Sequence, residues 1–427
     1  MTSSASIQPH PTVFLVIDMP IGAYLHYCVQ LGNALVGTGQ CAVRLVALFE
    51  DRSNPTVPDD ERRLFAPGLE FQVLGPAGGS RLRRYRQFFT NWRRHLREIR
   101  RAGQGIVHLH TGTGWPWFDT ALLLAYRVLR IPVVRTVHEL TTAERVGAPT
   151  AIEQALGAVQ LKLADVAIVH DQEQRLRLAP LLGTKDAAVV PHGNYLCFRS
   201  GAACEESVPD DSGAPLRVLF MGVKRHKGIE AFLEAMRRLL AAGEAVTATI
   251  IGRVNTGDED LLDRIKELPN VRLEAGYVPN GEIERQYRRH DIVALPYIKG
   301  TTSGAVHLAY AFERPVIASD LPCFRDLVVE GKTGFVAAAG DAGALTEAFR
   351  RAIAARSRLP EMGTIGFQAV SQPRYSWERI AGETLVVYRQ ARARREGQAG
   401  QASYQSLGED AASSPNSDAA ASRTSVT

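Results

Sequence analysis

Cysteine is scarce and unpatterned: five in 427 residues, at Cys28, Cys41, Cys197, Cys204 and Cys323. The number is odd and no C-x-x-C occurs. That excludes a disulfide framework and a cysteine zinc site, and it favours a reducing compartment. Long apolar runs are missing too, since nothing approaches the roughly 18–20 consecutive apolar residues that cross a bilayer. The N-terminal MTSSASIQPHPTVFLVID has no basic stretch and its apolar run breaks at Asp18, so no signal peptide is expected. The expected location is cytoplasmic, at most peripheral on the inner face of the plasma membrane. Neither sign of charge dominates, with 50 Lys and Arg against 45 Asp and Glu, a net charge of +5. So small an excess names no partner, although a local cluster can.

What is present is apolar material in quantity: 45% hydrophobic and 22% charged residues. A disordered chain is excluded, and at roughly 100–200 residues per domain the length suggests two or three domains. Short β-branched runs alternate with amphipathic segments. Strands are predicted at 12–18, 42–48, 69–74, 105–110, 132–138, 165–170 and 187–191, with helices at 24–36, 82–101, 117–129, 152–163 and 173–181 between them. A polar stretch rich in small residues, 200–215, reads as a linker. The alternation then resumes with strands at 216–221, 246–251, 271–274, 291–296 and 315–319.

Continuous apolar strands separated by helices predict parallel sheets covered on both faces. The fold class is therefore α/β, with two doubly wound Rossmann-like domains. In such sheets ligands bind beyond the carboxyl ends of the strands, which puts a ligand cleft between two facing domains. The expected limits are 1–199 and 216–372 for the domains, 200–215 for the linker, 373–395 for a final helix and 396–427 for a disordered tail.

The first strand of the second domain ends in Met221-Gly222-Val223-Lys224-Arg225-His226-Lys227-Gly228 and leads into a helix. Glycine lets the backbone approach a ligand, and three cations beside a helix N-terminus favour a phosphate-like anion. The plainer alternative is a solvated basic turn. Later, Thr301-Thr302-Ser303-Gly304 opens another helix with unpaired amides and hydroxyls. A lone N-cap explains one of those residues but not the run. Two anion-ready turns on one sheet edge suggest a diphosphate.

The order of motifs is also familiar. F-M-G-V-K-R-H-K-G-I-E, Gly252 after a strand, H-D-I-V-A-L-P-Y, S-G-A-V-H-L-A-Y-A-F-E-R-P-V-I-A-S-D and V-V-E-G-K-T-G-F-V follow one another. This order resembles the GT-B glycosyltransferases, and within them the glycosyl transferases group 1 (family-four-like). The resemblance is strongest over residues 216–355 and looser in the first domain, and Tyr375-Ser376-Trp377-Glu378 resembles the start of the helix that returns to that domain. It implies a nucleotide-diphosphate sugar as donor substrate in the second domain, with no metal or other cofactor. Lys227 matches the family lysine on the diphosphate, Lys224 or Arg225 its companion, and Ser303 and Gly304 the helix-start loop on phosphate. The family's paired glutamates are absent, their positions falling on Gly300 and Leu308. That leaves the sugar and ribose contacts and the retaining or inverting outcome open.

In the first domain, Gly22 stands where the resemblance places a glycine-rich turn near the acceptor. His110 and His138 close two predicted strands and are expected to face the cleft, and His138 matches a family histidine that contacts sugar or acceptor. A histidine could deprotonate an acceptor hydroxyl, as could Asp119 or Glu139. Each could equally be a satisfied strand-end polar group. Asp258-Glu259-Asp260 sits where acids suit a helix start, so no metal is assigned.

One segment stands apart, SRLRRYRQFFTNWRRHLREIRRAG at 80–103. Leu82, Tyr85, Phe89, Trp92, Leu96 and Ile99 make a helical stripe, and arginines fill half of the other positions. A crossover helix with a solvated basic face explains this. So does attachment to anionic lipid, with Arg84, Arg93, Arg94 and Arg97 on headgroups and Phe88 and Trp92 inserted. RNA is not expected, since no stacking platform or RNA motif is present. The expected function is transfer of a sugar from a nucleotide-diphosphate donor to an acceptor, a lipid-linked sugar in exopolysaccharide or envelope glycan synthesis. The alternatives are a sugar-nucleotide epimerase of the same fold and a catalytically silent nucleotide-binding protein.

Overall fold

The computed structural model describes residues 10–18, 22–49, 62–75, 80–112, 116–138, 150–183, 185–199, 214–254, 258–300 and 304–397. Its first half runs β1 (Thr12–Ile17), α1 (Gly22–Gly37), β2 (Ala42–Ala47), β3 (Leu69–Val73), α2 (Arg81–Arg101), β4 (Ile106–Leu109), α3 (Pro116–Val128), β5 (Val133–Thr136), α4 (Ala151–Leu163), β6 (Val166–Val169), α5 (Gln172–Leu182) and β7 (Ala187–Val189). The second half runs β8 (Leu216–Val223), α6 (Ile229–Ala241), β9 (Val246–Val254), α7 (Glu259–Lys266), β10 (Val271–Ala275), α8 (Asn280–Arg288), β11 (Ile292–Leu295), α9 (Gly304–Ala311), β12 (Val316–Ser319), α10 (Pro322–Arg325), β13 (Gly334–Ala337), α11 (Ala342–Ala354), α12 (Leu359–Val370) and α13 (Trp377–Glu396). No helix among the described residues is long and apolar enough to cross a membrane.

Both sheets are parallel, in the orders β3-β2-β1-β4-β5-β6-β7 and β10-β9-β8-β11-β12-β13. In each the order reverses beside the first strand, at β1/β4 and β8/β11, the switch points where ligand crevices open. Crossovers in such sheets are right-handed, so helices leading toward opposite edges fall on opposite faces. Accordingly α1 packs with α13 on one face, around Tyr27, Leu31, Ile380 and Tyr388. Trp92, Ile99, Leu122 and Tyr126 of α2 and α3 pack on the other, and Leu161, Leu178 and Leu182 of α4 and α5 form a smaller cluster.

The sixth strand of the second sheet, β13, is the element that apolar runs did not announce. It is four residues long and begins with a glycine. A Cβ on Gly334 would stand 2.2 Å from the Val316 carbonyl oxygen, so bare backbone lets this short strand pair against β12.

The closing helix α13 belongs spatially to the first domain. Trp377 Nε1 donates to the Asn194 carbonyl at 2.8 Å, and Arg395 pairs with buried Asp165 at 2.6 Å. The helix ends at Glu396, capped by Gly397 in the left-handed conformation.

Helix α2 corrects the expected stripe. The residues it buries are Phe88, Trp92, His95 and Ile99, while Leu82 and Phe89 turn outward. Phe88 stacks on Phe49 at 5.4 Å and meets Phe118 at 5.1 Å, and Trp92 meets Tyr126 at 5.6 Å. Phe88 and Trp92 are core residues and cannot insert into lipid. Of the adjacent pair Phe88-Phe89, the one in register with Trp92 and Ile99 faces the sheet. Arg93, Arg94 and Arg97 are exposed, and the side chain of Arg84 lies outside the described residues.

Candidate active site

The carboxyl edge of the second sheet is built from glycine. Gly222 (φ +91°) sits at an irregularity that ends β8, and a Cβ there would lie 2.7 Å from Lys227 Nζ. Gly252 (φ +145°) brings β9 so close that its Cβ would stand 2.9 Å from the Gly222 Cα. Gly228 (φ +77°) leads into α6, and its Cβ would fall 1.8 Å from the Pro296 carbonyl oxygen beyond β11. Three loops thus meet by backbone contact, which only glycine allows. Lys227 Nζ donates to the Met221 carbonyl at 2.9 Å and lies 5.8 Å from the Tyr297 ring centroid. Lys224 precedes the short helical turn over residues 225–227.

Arg225 is engaged by acids. Its guanidinium donates to Asp260 at 2.6 Å, lies 3.3 Å from Asp258 and pairs with Glu230. These partners hold its pKa above the usual arginine value, the Asp260 hydrogen bond first. Three carboxylates thus engage the cation that the sequence suggests as a companion on the diphosphate. Further along, Gly304 opens α9, and a Cβ there would press into the Tyr195 ring at 2.6 Å. Thr302 and Ser303 lie outside the described residues.

The facing edge of the first sheet is built from histidine. His110, His138, His170 and His192 follow β4, β5, β6 and β7, four adjacent strands, so their rings form a row. His307 of α9 extends it from the second domain, its ring centroid 5.4 Å from that of His192. Tyr27 of α1 lies against four of them, with centroid separations of 4.8 to 5.6 Å. Burial depresses every one of these histidines and the neighbouring imidazoles depress them further, to about 4 for His170 and about 3 for His192. The row is neutral at physiological pH.

Neutral imidazoles carry one proton each, and this fixes the tautomers. His170 Nδ1 faces the Val190 carbonyl at 3.0 Å and must donate to it. Its Nε2 therefore accepts from His138 Nδ1 at 3.1 Å, and His138 Nε2 accepts from His110 Nδ1 at 3.2 Å. The lone pair at the end of the relay is His110 Nε2, buried and with no partner among the described residues. His108 is separate, held between Tyr388 Oη at 2.8 Å and Thr136 Oγ1 at 2.7 Å.

Asp119, in the first turn of α3, stands over the Gly112 turn, where a Cβ would meet its carboxylate at 2.5 Å. Its charge favours the charged form of half-buried Arg135, against the larger effect of desolvation. Glu139 lies outside the described residues. Gly22 starts α1 at φ +71°, with open space where a side chain would go. Where the domains meet, a cavity of about 60 Å³ lies between His170 and Asp171 on one side and His307 and Asp326 on the other. Sequence reasoning missed His170, His192, His307 and Tyr27. The signal was a histidine within three residues of the end of four successive strands.

The chain is similar to known proteins in both halves. Residues 215–355 match the family model for glycosyl transferases group 1, and residues 26–194 match that for glycosyltransferase family 4. The chain is 27% identical to a phosphatidyl-myo-inositol mannosyltransferase of Mycobacterium leprae, over 87% of this chain and 93% of that protein. It is 34% identical to the lipopolysaccharide core biosynthesis mannosyltransferase LpcC of Rhizobium leguminosarum bv. viciae, over 47% of this chain and 58% of that one. Among solved structures, the sucrose-phosphate synthase of Thermosynechococcus elongatus superposes with a TM-score of 0.73 at 19% identity, over 90% of this chain and all of that one, a likeness of fold.

Proposed function

Because this chain is a GT-B glycosyltransferase, its C-terminal half a glycosyl transferases group 1 domain and its N-terminal half a family 4 domain, we propose that it moves a hexose from a nucleotide-diphosphate donor to a membrane-anchored acceptor. The observation that carries this is the contrast between the facing edges, one glycine-lined with Lys224 and Lys227, the other a neutral row of histidines. The first suits a diphosphate, whose oxygens accept from backbone amides and lysine. The second suits a polyol hydroxyl, which needs a hydrogen-bond acceptor and no charge.

In the reaction, Lys227 and the loop amides stabilise charge on the departing diphosphate, an electrostatic contribution that needs no rearrangement during the step. Closing the cleft keeps water from the donor. Of the two histidines at the acceptor side, His110 carries the lone pair that ends the relay, and His138 and His170 fix its tautomer. The lipid anchor is supported by two relatives whose names specify phosphatidyl-myo-inositol and lipopolysaccharide core, and by the exposed arginines of α2. The acceptor class we propose is a lipid-linked sugar of exopolysaccharide or envelope glycan synthesis.

The test is titration calorimetry of UDP, GDP, ADP and dTDP against wild type and Lys227→Ala. One diphosphate binds, and the substitution weakens it about tenfold or more while the bare nucleoside is unaffected, the loss expected for a charge-assisted contact. Equal loss for nucleoside and diphosphate removes Lys227 from the diphosphate. Silence from all four nucleotides overturns the donor site and favours a silent binding protein. Conversion of a donor sugar to its epimer without acceptor would favour the epimerase.

A further inference from the structure

At the amino edge of the first sheet, opposite the histidine row, a cavity of about 220 Å³ lies between the starts of β1, β2 and β4 and the helix α13. Val13 and Ile106, paired in register across β1 and β4, line it together with Leu385 and Tyr388 of α13. Two arginines of the same helix, Arg389 and Arg392, also line it, and among the described residues no carboxylate does. Arg392 is fixed, donating to the Gln104 side-chain oxygen at 2.9 Å and to its carbonyl at 3.0 Å. Arg389 is exposed and makes no hydrogen bond or ion pair among the described residues. The next arginines of the helix, Arg394 and Arg395, are both spent on Asp165. Substrates of open α/β sheets bind beyond the carboxyl ends of the strands. A cavity at the amino ends therefore suits a ligand other than donor or acceptor.

We propose that this cavity binds a small amphipathic anion, a carboxylate or phosphate monoester carried on one apolar ring, and that its occupancy is felt at the histidine row. Volume and charge select the ligand. An apolar cavity of about 150 Å³ accommodates benzene, so this one has room for a ring with a charged substituent. The apolar walls take the ring, and Arg392 and Arg389 take the charge, as guanidinium groups take carboxylate or phosphate. A bare ion leaves Val13, Ile106 and Leu385 uncovered, and a neutral ring leaves Arg389 without a counter-charge. The route to the row is short. Tyr388, in the cavity wall, meets His108 Nδ1 through its hydroxyl at 2.8 Å. The His108 ring lies against that of His110, with centroids 4.1 Å apart, and His110 ends the relay. Tyr388, His108 and His110 are all buried, and close-packed interiors transmit a displacement rather than absorb it. The site stands apart from the donor and acceptor proposed above.

The experiment titrates the full chain by calorimetry with phenyl phosphate and benzoate, using inorganic phosphate and benzyl alcohol as probes that lack the ring or the charge. Nitrogen NMR follows the rings of His108 and His110 in the same titrations. At least one aromatic anion binds about tenfold or more tighter than either control, and the His108 and His110 signals shift. Which of the two binds tighter tells phosphate from carboxylate. Arg389→Gln weakens that anion about tenfold without lowering the unfolding temperature, because the side chain is exposed. Tyr388→Phe keeps the ring and removes the bond to His108, so the anion still binds and His110 no longer responds. No binding of either aromatic anion at millimolar concentration overturns the proposal. So does inorganic phosphate binding as tightly as phenyl phosphate, and so does displacement of the probe by UDP, GDP, ADP or dTDP, which would place it at the facing edge of the second sheet. Arg389-dependent binding with His108 and His110 unmoved overturns the coupling and leaves the site standing.

Discussion

The two sheets share an architecture and differ at the edges that face each other. The second sheet ends in glycines at φ +91°, +145° and +77°, and its loops touch backbone to backbone. The first ends in imidazoles and a tyrosine, and its loops are joined by side-chain packing and hydrogen bonds. An edge made of bare backbone keeps amides near a ligand and tolerates no added atom. An edge made of buried neutral rings tolerates shape changes better but depends on protonation. The same topology therefore carries two different sensitivities, one steric and one acid-dependent.

The steric half predicts the largest effect. Gly228→Ala places a methyl 1.8 Å from the Pro296 carbonyl and asks a left-handed residue to carry a side chain. Both the clash and the conformation are unfavourable, so a loss of about 3 kcal/mol or more is expected. Thermal unfolding should show a large fall in midpoint together with lost nucleotide binding. Gly22→Ala has the same sign of φ and no clash, and should cost only about 1 kcal/mol. Similar losses at the two glycines would erase the distinction between crowding and conformation.

The acid-dependent half comes next. The row histidines and His95 have folded pKa values below the ordinary 6.5, at about 4 for His170 and about 3 for His95 and His192. Below pH about 6.5 the unfolded chain takes up protons that the folded chain refuses. Stability is thus intact above that pH and declines as pH falls toward 4, by up to about 1.4 kcal/mol per pH unit for each fully buried histidine. Urea unfolding across pH 7 to 4 measures the slope, and a flat profile would mean that the rings are protonated or accessible in the folded state. The relay makes a separate demand. Nitrogen NMR should find His110, His138 and His170 all protonated at Nδ1, and His170→Ala should release the other two from that tautomer. Protonation of His110 at Nε2 would break the assigned direction.

How far these properties could be read beforehand follows the same division. The alternation of apolar strands and amphipathic helices was visible, as was the turn from Gly222 to Gly228, because glycine and lysine at a strand end are local signals. Hidden features depended on partners distant in sequence. Arg225 reads as an anion ligand until Asp258 and Asp260 of the next β–α turn are placed beside it. Phe88 and Phe89 are indistinguishable until Phe49 and Phe118 show which one packs. The histidine row needs the strand order, since 110, 138, 170 and 192 become neighbours only when β4 to β7 lie side by side. Strand β13 was masked by its shortness and its opening glycine.

The smallest predicted effect tests the cationic turn itself. Lys227 and Arg225 lie two residues apart, yet one bonds to backbone at the glycine edge and the other to three carboxylates. If proximity in sequence decided their role, Arg225→Ala would weaken nucleotide diphosphate as strongly as Lys227→Ala. The geometry predicts otherwise: a change within about twofold, because the neutralised guanidinium contributes little field to the ligand and its exposed pairs contribute little to stability. Calorimetry of the two variants under identical salt decides it. A tenfold loss for Arg225→Ala would mean that the arginine leaves Glu230, Asp258 and Asp260 when donor binds, and that the acids hold it in reserve.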